Sequence, residues 1–538
     1  MLSLPYSAGV LGASVTGPVD VDGLAWRRTV TANPSIASTG VTTLVGHVIG
    51  GAPTPGVGDR RQDVFDPATG HVTAQVALAE QADVDAAVAA ALTAAEGWAQ
   101  TPLGKRAAVM FAFREQLISR TAELAAVITA EHGKVLSDAV GEIGRGLEVV
   151  EFACGIPQLL KGEYSDQVAT DVDVFSFREP LGVVAGITPF NFPAMVPLWM
   201  APMAIATGNA FILKPSERDP SASLLLAEMW ADAGLPDGVF SVLQGDRVAV
   251  DGLLTHPDVA AVSFVGSTAV AKHVHAAATA HGKRVQALGG AKNHAVVLAD
   301  ADLDLAATHL TAAAFGAAGE RCMAVSVALV ADEVADALLE RLRVTALAVR
   351  VAPGGDPASD MGPVITRDAQ QRIEQIVTEA VDGGARALVD GRGHTVAGHE
   401  GGFFVGPTVL DGVSTGMRAY AEEVFGPVLV VLRVSGLAEA IEIVNANPYG
   451  NGTALFTASG DAARTFQRSV SVGMIGINVP IPVPVGWHSF GGWKDSLFGE
   501  SHVYGPEAVR FYTRGKVVTS RWPRSASTSF HFGRTTAG

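Results

Sequence analysis

The chain has 538 residues, of which 48% are hydrophobic and 17% charged, and 60 are glycines. This composition is typical of a globular enzyme and excludes a fibrous or disordered protein, while the length predicts two large domains with an appendage. A net charge of −16 with a pI near 5.3 argues against nucleic acid or an anionic membrane as the main partner. The two cysteines, Cys154 and Cys322, cannot form a disulfide framework and suit a reducing cytoplasm.

The first part of the chain predicts an extension, then strands, then helices. Residues 1–42 show no sustained period and no charged region before their apolar stretch, so we expect a flexible extension rather than a signal peptide. Short strand-like patterns follow over 45–75. Apolar residues at helical spacing then continue to about residue 160, and Asp83 is the expected N-cap of the first helix.

The middle of the chain predicts alternating strands and helices. The uncharged stretch 181–213 is long enough to span a bilayer, but four prolines and several glycines interrupt it, so we expect a strand, a loop and a packed helix. Alternation continues with a helix over 221–233 and another helix running into Cys322, which indicates a parallel sheet covered on both faces. The same rhythm over 325–475 predicts a second α/β domain.

The segments DVDVFSFREP and AVRFYTRGKVVTSRW alternate like strands, and residues 523–538 read as a flexible tail.

The segment AFGAAGERCMAVS surrounds Cys322 with small residues that allow a substrate to come close. Arg321 precedes the cysteine, and a neighbouring positive charge lowers a thiol pKa and favours the nucleophilic thiolate. Cys154, in EVVEFACGIPQLL, has the helical spacing of a buried apolar residue. From this context Cys322 is either a nucleophile or a second buried filler.

The segment PFNFP places Asn191 between two phenylalanines and two prolines. An asparagine in such a loop is either a turn residue or a rigidly held amide that stabilises an oxyanion. Lys214 and Glu217 follow a predicted strand, where they are either a solvated pair or ligands of a nucleotide ribose. A carboxylate there would repel a 2′-phosphate, which favours NAD over NADP. Gly266 and Ser267 begin a predicted helix, where backbone amides could bind a pyrophosphate.

The strings FNFP, KPSE, FVGST, GERC, EEVFGPV and NPYGNG, in this order, resemble the aldehyde dehydrogenase superfamily over residues 45–520. Longer strings, such as GKRVQALGGAKNHAVV and GINVPIPVPVGWHSFGG, resemble its CoA-acylating methylmalonate-semialdehyde dehydrogenases. The resemblance implies an α/β fold with a Rossmann-like NAD domain over 43–160 and 180–290 and a catalytic domain over 291–500. It also implies a small β oligomerisation arm from 161–179 and 503–522, through which the chain would form a dimer or tetramer.

The resemblance also implies a role for each candidate site residue. Cys322 would be the nucleophile, and Asn191 with the Cys322 backbone amide would form the oxyanion hole. Arg145, otherwise a surface helix charge, and Arg321 would bind the substrate carboxylate. Glu423 would hold the nicotinamide ribose. The positions that match NAD contacts are Thr188, Phe190, Lys214, Glu217, Arg218, Gly266, Ser267, Glu423 and Phe425. No metal site is expected.

One departure from the wider superfamily bears on the second half of the reaction. Most hydrolytic members have a glutamate directly before the Leu-Gly-Gly of this region, where it activates the deacylating water, and this chain has Ala287 there. Since alanine cannot take a proton, coenzyme A is the expected acyl acceptor. The activity implied is NAD-dependent conversion of methylmalonate or malonate semialdehyde to propionyl-CoA or acetyl-CoA with loss of CO2, as in valine or inositol breakdown.

Three alternatives remain open from the sequence. The first is a hydrolytic dehydrogenase acting on another carboxylate-bearing semialdehyde. The second is a non-catalytic binding protein that has kept the fold. The third is the reverse reaction, reduction of an acyl-CoA to an aldehyde. Trp487 and His488 stand where the resembled subfamily has apolar or small residues, which leaves the choice of substrate less defined.

Overall fold

The computed structural model describes residues 43–522, and the predicted flexible extension and tail lie outside this range. Short strands and then helices form the first part: β1 (Thr43–Val45), β2 (His47–Ile49), β3 (Ala52–Thr54), β4 (Arg61–Asp66), β5 (His71–Ala77), α1 (Gln81–Ala99), α2 (Leu103–Ser119), α3 (Thr121–His132), α4 (Leu136–Cys154) and α5 (Ile156–Leu159).

The next part alternates strands with helices, as the hydrophobic pattern predicts. Its elements are β6 (Tyr164–Ala169), β7 (Val172–Pro180), β8 (Val183–Ile187), α6 (Met195–Ala206), β9 (Ala210–Lys214), α7 (Ser221–Asp232), β10 (Phe240–Val242), α8 (Arg247–Thr255), β11 (Val259–Val265), α9 (Thr268–Ala280), β12 (Arg284–Leu288) and β13 (Asn293–Val297).

The alternation continues to the end of the described range. The elements are α10 (Leu303–Phe315), β14 (Val325–Ala331), α11 (Asp332–Leu347), α12 (Arg367–Asp382), β15 (Arg386–Val389), β16 (Thr408–Asp411), α13 (Arg418–Ala421), β17 (Val428–Val434), α14 (Leu437–Ala446), β18 (Tyr449–Gly450), β19 (Gly452–Phe456), α15 (Gly460–Ser469), β20 (Met474–Ile477), β21 (Trp493–Lys494), β22 (Leu497–Phe498), α16 (Gly505–Phe511) and β23 (Thr513–Arg521).

The first large sheet has eight strands in the order β22-β12-β11-β8-β9-β10-β2-β3. Its five central strands are parallel. After β8 the chain adds β9 and β10 on one side, and it then returns to add β11 and β12 on the other. The strand order therefore reverses between β8 and β11, and the crevice outside the carboxyl ends of these strands is where such sheets bind ligands.

Side chains of this sheet alternate between two hydrophobic cores. On β8, Val184 packs in the core with helices α2–α7, whereas Val183 and Ala185 pack in the core with α1, α8 and α9. On β9, Phe211 packs in the first of these cores and Ile212 in the second. This is the two-sided burial expected of a parallel sheet, and it confirms the predicted α/β fold class.

The second large sheet has seven strands in the order β15-β16-β17-β14-β13-β19-β20, and all neighbours are parallel except β15 and β16. The chain leaves the first sheet at the carboxyl end of β12 and enters the second sheet at the amino end of β13. The amino ends of parallel strands lie at one edge. Residues that immediately precede β13, β14, β17 and β19 therefore face the same region as the carboxyl ends of the first sheet.

A separate antiparallel sheet has the order β23-β7-β6. The predicted arm ranges, 161–179 and 503–522, contain these three strands except Pro180, the last residue of β7, and the second range also contains α16, which packs against α6. The expectation that AVRFYTRGKVVTSRW is a strand throughout is thus wrong for its first residues, because 505–511 form a helix that is buried against a hydrophobic core. The division of the chain into domains stays a prediction.

Two predicted helix ends differ from the observed ones. Asp83 lies at the third position of α1, whose N-cap is Glu80, and its carboxylate accepts hydrogen bonds from the Glu80 and Val57 N–H groups. Helix α10 ends at Phe315 and does not reach Cys322.

The uncharged stretch 181–213 forms β8, a loop, α6 and β9, as expected. Within the described range, no helix is both long and apolar enough to cross a membrane.

Candidate active site

Cys322 lies in a turn between α10 and β14, at the amino edge of the second sheet. Ala317 and Ala318 have φ angles of 49° and 52°, which end the helical path before the cysteine. The Asp138 carboxylate on α4 accepts a hydrogen bond of 2.9 Å from the Ala317 N–H. The turn that carries the cysteine is therefore held from outside as well as by its own backbone.

Two amide side chains fix the cysteine backbone. The Nδ2 groups of Asn293 and Asn451 donate hydrogen bonds of 2.8 and 3.1 Å to the Cys322 carbonyl oxygen. The Asn293 Oδ1 atom accepts a hydrogen bond from Gly452 N–H, so the start of β19 is held at the same place. Both asparagines are buried, and the carbonyl next to the thiol has little freedom to move.

The Cys322 thiol differs from the expected low-pKa nucleophile. Burial, and next the negative charge of Glu423, raise its pKa to about 12, while Arg321 opposes them only weakly. The effect of Arg321 on this pKa is small because its guanidinium forms an ion pair of 2.6 Å with Asp138. Arg321 thus lowers the thiol pKa, as expected, but its effect is smaller than those of burial and Glu423. Cys154 is buried, as expected, and burial raises its thiol pKa to about 11.

Asn191 lies in the loop between β8 and α6, and two buried charged groups hold this loop. Lys134 donates a hydrogen bond of 2.6 Å to the Asn191 carbonyl oxygen and forms an ion pair of 2.5 Å with Glu142. The other oxygen of Glu142 accepts hydrogen bonds from the N–H groups of Ala194 and Met195, at the start of α6. Lys134 and Glu142 are 1% and 2% exposed, so this ion pair is shielded from water.

The predicted cofactor residues at the ends of β8 and β9 come together. Lys214 donates a hydrogen bond of 3.0 Å to Glu217, and its backbone oxygen accepts one from Thr188 N–H. Burial favours a raised pKa for Glu217, but the Lys214 charge and hydrogen bonds outweigh it and lower the pKa. The Arg218 guanidinium lies 5.4 Å from the Phe190 ring centre. The Thr188 hydroxyl is buried and has no partner among the described residues.

Gly266 and Ser267 lie at the carboxyl end of β11, directly before α9. Ser267 is the exposed N-cap of α9, and its side chain makes no capping hydrogen bond. A Cβ atom at Gly266 would lie 2.5 Å from the Phe264 ring, so only glycine fits the backbone there. The next residue, Thr268, accepts a hydrogen bond of 2.8 Å from Gly290 N–H, which ties this turn to the passage between the two sheets.

Glu423 approaches the same passage from the second sheet. Its carboxylate accepts a hydrogen bond of 3.0 Å from Ala291 N–H, and a Cβ atom at Gly290 would lie 2.5 Å from it. Burial raises the Glu423 pKa to about 7. The buried Lys292 holds the segment before Glu423 by donating to the backbone oxygens of Ala419 and Glu422, at 2.7 Å each.

Aromatic side chains connect the two groups of predicted residues. Phe425, which has a left-handed backbone with a φ of 52°, packs edge-to-face on Phe190 at 5.8 Å between ring centres. Cys322 and Phe192 pack against one hydrophobic core. These contacts link the Asn191 loop, the Cys322 turn and the predicted cofactor residues where the edges of the two sheets meet.

The two predicted carboxylate-binding arginines are engaged by carboxylates of the chain itself. Arg145 forms hydrogen bonds of 2.8 and 3.0 Å with both oxygens of Glu148. Its other terminal nitrogen donates to the backbone oxygens of Val483 and Pro484, at 3.2 and 2.7 Å. Arg321 is paired with Asp138, as described above.

The residue predicted to replace a catalytic base packs in a different hydrophobic core from the one that Cys322 contacts. Ala287 is fully buried in the core with α8 and α9, whereas Leu288 packs in the core that Cys322 contacts. Successive residues of a strand face opposite sides, so Leu288 is the β12 residue on the cysteine side. Both residues are aliphatic, and neither can accept a proton.

Several residues that shape this site carry no signal in the sequence. Lys134 and Glu142 look like ordinary helix charges, and Asn293 gives no hint of its contact with Cys322. Asn451 lies in the NPYGNG string quoted above, which marks its segment but not its role. Only three-dimensional contacts bring these positions together. Asn293 and Asn451 are 29 and 129 residues from Cys322 in the sequence. Lys134 and Glu142 are 57 and 52 residues from their partners in the loop of Asn191.

The fold and this crevice define the class of protein. The aldehyde dehydrogenase family profile matches residues 55–518, so the chain belongs to the aldehyde dehydrogenase family and is an oxidoreductase.

Individual members of the family are also similar to this chain in sequence. A malonate-semialdehyde dehydrogenase of Pseudomonas aeruginosa is 54% identical over 482 residues, covering 89% of this chain and 97% of that protein. An acylating methylmalonate-semialdehyde dehydrogenase of Arabidopsis thaliana is 49% identical over 481 residues, covering 89% of this chain and 79% of that protein.

Two solved structures are also similar to this chain in fold and sequence. The methylmalonate-semialdehyde dehydrogenase of Oceanimonas doudoroffii has a TM-score of 0.89 and 52% identity, with 90% of this chain and 99% of that chain covered. A Sinorhizobium meliloti 1021 structure complexed with NAD and assigned to the same enzyme has a TM-score of 0.90 and 48% identity, covering 91% and 100%. These similarities confirm the family resemblance seen in the sequence.

Proposed function

We propose that this chain is an NAD-dependent, CoA-acylating dehydrogenase that converts malonate semialdehyde to acetyl-CoA and methylmalonate semialdehyde to propionyl-CoA. The names of the relatives support the substrate class. The observation that carries the choice of acyl acceptor is the end of β12, where Ala287 and Leu288 offer no proton acceptor for a hydrolytic water.

The sheet edge described above has groups that are suited to the ribose and phosphate groups of NAD. They are the buried Thr188 hydroxyl, which has no partner within residues 43–522, the Lys214–Glu217 pair and the N-terminus of α9. Lys214, Glu217 and Arg218 would bind the adenosine side, and Glu423 and Phe425 the nicotinamide side. NAD supplies a hydride acceptor when bound.

The first half of the reaction belongs to Cys322. The thiol first loses its proton to solvent. The thiolate then attacks the aldehyde carbon, the carbonyl π electrons move to oxygen, and the side-chain amide of Asn191 with the Cys322 N–H stabilises the resulting oxyanion. After the carbon has lost a hydride, the acyl group remains on sulfur as a thioester.

The second half needs a carboxylate on the substrate and a thiol acceptor. The C–C bond to the β-carboxylate breaks, CO2 leaves, and the electron pair becomes a thioester enolate that takes up a proton. The thiolate of CoA then attacks the acyl carbon, and Cys322 leaves as a thiolate. Arg145 and Arg321 are the cations proposed to bind the carboxylate before it is lost.

Glu423 is the carboxyl group whose charge acts on the Cys322 thiol, so it is the competing candidate for a base. Its carboxylate accepts a hydrogen bond from Ala291 N–H, and it would also hold the nicotinamide ribose when NAD is bound. Glu423 is therefore assigned to cofactor binding and not to the activation of water.

Product analysis with malonate semialdehyde and NAD, in the presence and absence of CoA, tests the proposal. We expect acetyl-CoA and rapid NADH formation with CoA, and only slow turnover without it. The Cys322→Ala variant should form no NADH. Rapid multiple turnovers to a free acid without CoA would contradict the assignment and favour the hydrolytic alternative.

A further inference from the structure

Helix α4 turns a row of charged side chains towards the active site. Asp138, Glu142, Arg145 and Glu148 are spaced by four, three and three residues, which places them on one face of the helix. Asp138 binds Arg321, Glu142 binds Lys134, and Glu148 binds Arg145. Each of these ion pairs contacts a different segment: the cysteine turn, the Asn191 loop and residues 483–484.

The guanidinium of Arg145 is oriented by neutral groups as well as by Glu148. One terminal nitrogen donates to the backbone oxygens of Val483 and Pro484, and the other binds the two Glu148 oxygens. The two carbonyls keep the guanidinium in place without cancelling its charge. Glu148 is the group among these partners that neutralises Arg145.

We propose that Glu148 is a specificity-determining residue that competes with the substrate carboxylate for Arg145. This inference rests on the proposed function, in which Arg145 binds that carboxylate. The Arg145 and Glu148 side chains are 33% and 30% exposed, so Glu148 can turn into solvent when another carboxylate arrives. A neutral aldehyde cannot displace it, and a carboxylate-bearing aldehyde can.

The competition between Glu148 and the substrate for Arg145 also affects the state that follows the loss of CO2. Loss of the carboxylate removes the negative charge that faced Arg145, since CO2 is neutral and the enolate is quenched by a proton. Glu148 then pairs with Arg145 again. Arg145 therefore has a counter-charge again while the decarboxylated acyl thioester awaits CoA.

The test compares Glu148→Gln with Glu151→Gln. Glutamine keeps the size of the side chain and one oxygen acceptor but removes the charge. Glu151 lies on the same helix and pairs with Arg114 at 2.8 Å, outside the row that faces the site, so it serves as the matched control. For each variant, kcat and KM are measured with malonate semialdehyde and with propanal, a neutral aldehyde of the same carbon number, at constant ionic strength.

We expect Glu148→Gln to lower KM for malonate semialdehyde about threefold to fivefold, because a partly exposed ion pair of this kind contributes up to roughly that factor. KM for propanal and both constants of Glu151→Gln should stay at the wild-type values. An unchanged or raised KM for malonate semialdehyde would overturn the proposal, since Glu148 would then be irrelevant or would orient Arg145. A parallel change in KM for both aldehydes would overturn it as well.

A second measurement separates this inference from the proposed function. Propionate, which cannot be oxidised, is used as an inhibitor of propanal oxidation. We expect its inhibition constant to fall in Glu148→Gln and not in Glu151→Gln, whatever the product formed from malonate semialdehyde. If wild type fails to make acetyl-CoA, the proposed function fails. If propionate inhibits all three proteins equally, the role of Glu148 fails.

Discussion

The reactivity of Cys322 depends on the groups that surround its sulfur. Burial removes water that would solvate a thiolate, and the negative charge of Glu423 repels it, while Asp138 occupies Arg321, the neighbouring cation. Since an ion pair of opposite charges has little net field at a distance, Arg321 contributes less than its adjacency suggests. The thiol of the cofactor-free protein is therefore protonated at neutral pH.

The raised thiol pKa predicts a specific pH profile. With a pKa of about 12, the thiolate fraction of Cys322 is small at pH 7 and rises about tenfold per pH unit. We expect the rate of alkylation by iodoacetamide to rise in this way from pH 7 to pH 9, without a plateau. The measurement uses the cofactor-free protein carrying Cys154→Ser, with Cys322→Ala as the background. A plateau near pH 8 would contradict the assignment.

Lys134 offers a test of how the Asn191 loop is held. Replacing it by methionine leaves Glu142 as an unpaired buried charge, so we expect Lys134→Met to lower the free energy of unfolding by about 3–5 kcal/mol. Denaturant unfolding measures this loss. Lys105→Met, at an exposed position of α2, is the control and should be near neutral.

A second substitution added to Lys134→Met separates the effect on the Asn191 loop from the effect on overall stability. The double change Lys134→Met with Glu142→Gln should regain much of the stability, because glutamine keeps an acceptor for the N–H groups of Ala194 and Met195. Its first-turnover NADH formation should stay low, while iodoacetamide alkylation of Cys322 stays normal, since alkylation forms no oxyanion. Normal NADH formation in the double variant would show that Lys134 acts on stability alone.

At the scale of elements, hydrophobic period predicts the alternating strands and helices well, because both sheets bury both faces. It does not predict where α10 ends, since Ala317 and Ala318 have a left-handed backbone and the Ala317 N–H is bound by Asp138, which is distant in sequence. The first part of the segment before β23 alternates like a strand, yet burial against α6 makes it a helix. Tertiary contacts override local pattern at both places.

Motifs predict the site only in part. Asn191, Cys322 and Glu423 stand in recognisable strings, and the structure gathers these strings at the edges of two sheets. A motif could not predict which side chain of β12 faces which core, because a shift of one residue in the alignment exchanges Ala287 and Leu288 between opposite cores.

The orientation of β12 predicts different outcomes for two neighbouring substitutions. Leu288→Glu introduces a carboxylate on the cysteine side, where a base can activate water, so we expect CoA-independent formation of free acid to rise about tenfold or more. Ala287→Glu buries its carboxylate in the core with α8 and α9 and should only destabilise the protein. Product analysis without CoA and thermal unfolding of both variants provide the readouts. Equal acid formation in the two variants would contradict the assigned facing.

At the scale of the whole molecule, the sheet of β6, β7 and β23 is the predicted surface for association. Every residue of β6 is exposed, and Val517 on β23 is 68% exposed although it is apolar. Such a strand edge is suited to pairing with another copy of the chain. The oligomeric state stays a prediction.

A pair of lysine substitutions tests this surface. Val517→Lys places a charge on the sheet, whereas Val57→Lys alters a residue of similar exposure, 71%, in the loop after β3. We expect sedimentation velocity at low micromolar concentration to show smaller species for Val517→Lys and wild-type assemblies for Val57→Lys. Identical sedimentation of both variants and wild type would place the association elsewhere.

The pairing of β22 with β12 has a consequence for how a ribosome releases this protein. Leu497–Phe498 covers the outer edge of Ala287–Leu288, but it is translated about 200 residues later. At the usual rate of synthesis, β12 waits about 10–40 s for its neighbour while the entire second sheet emerges. During that interval the nascent chain presents an open strand to other nascent chains, and a chaperone that covers it would raise the yield of enzyme without touching the finished molecule.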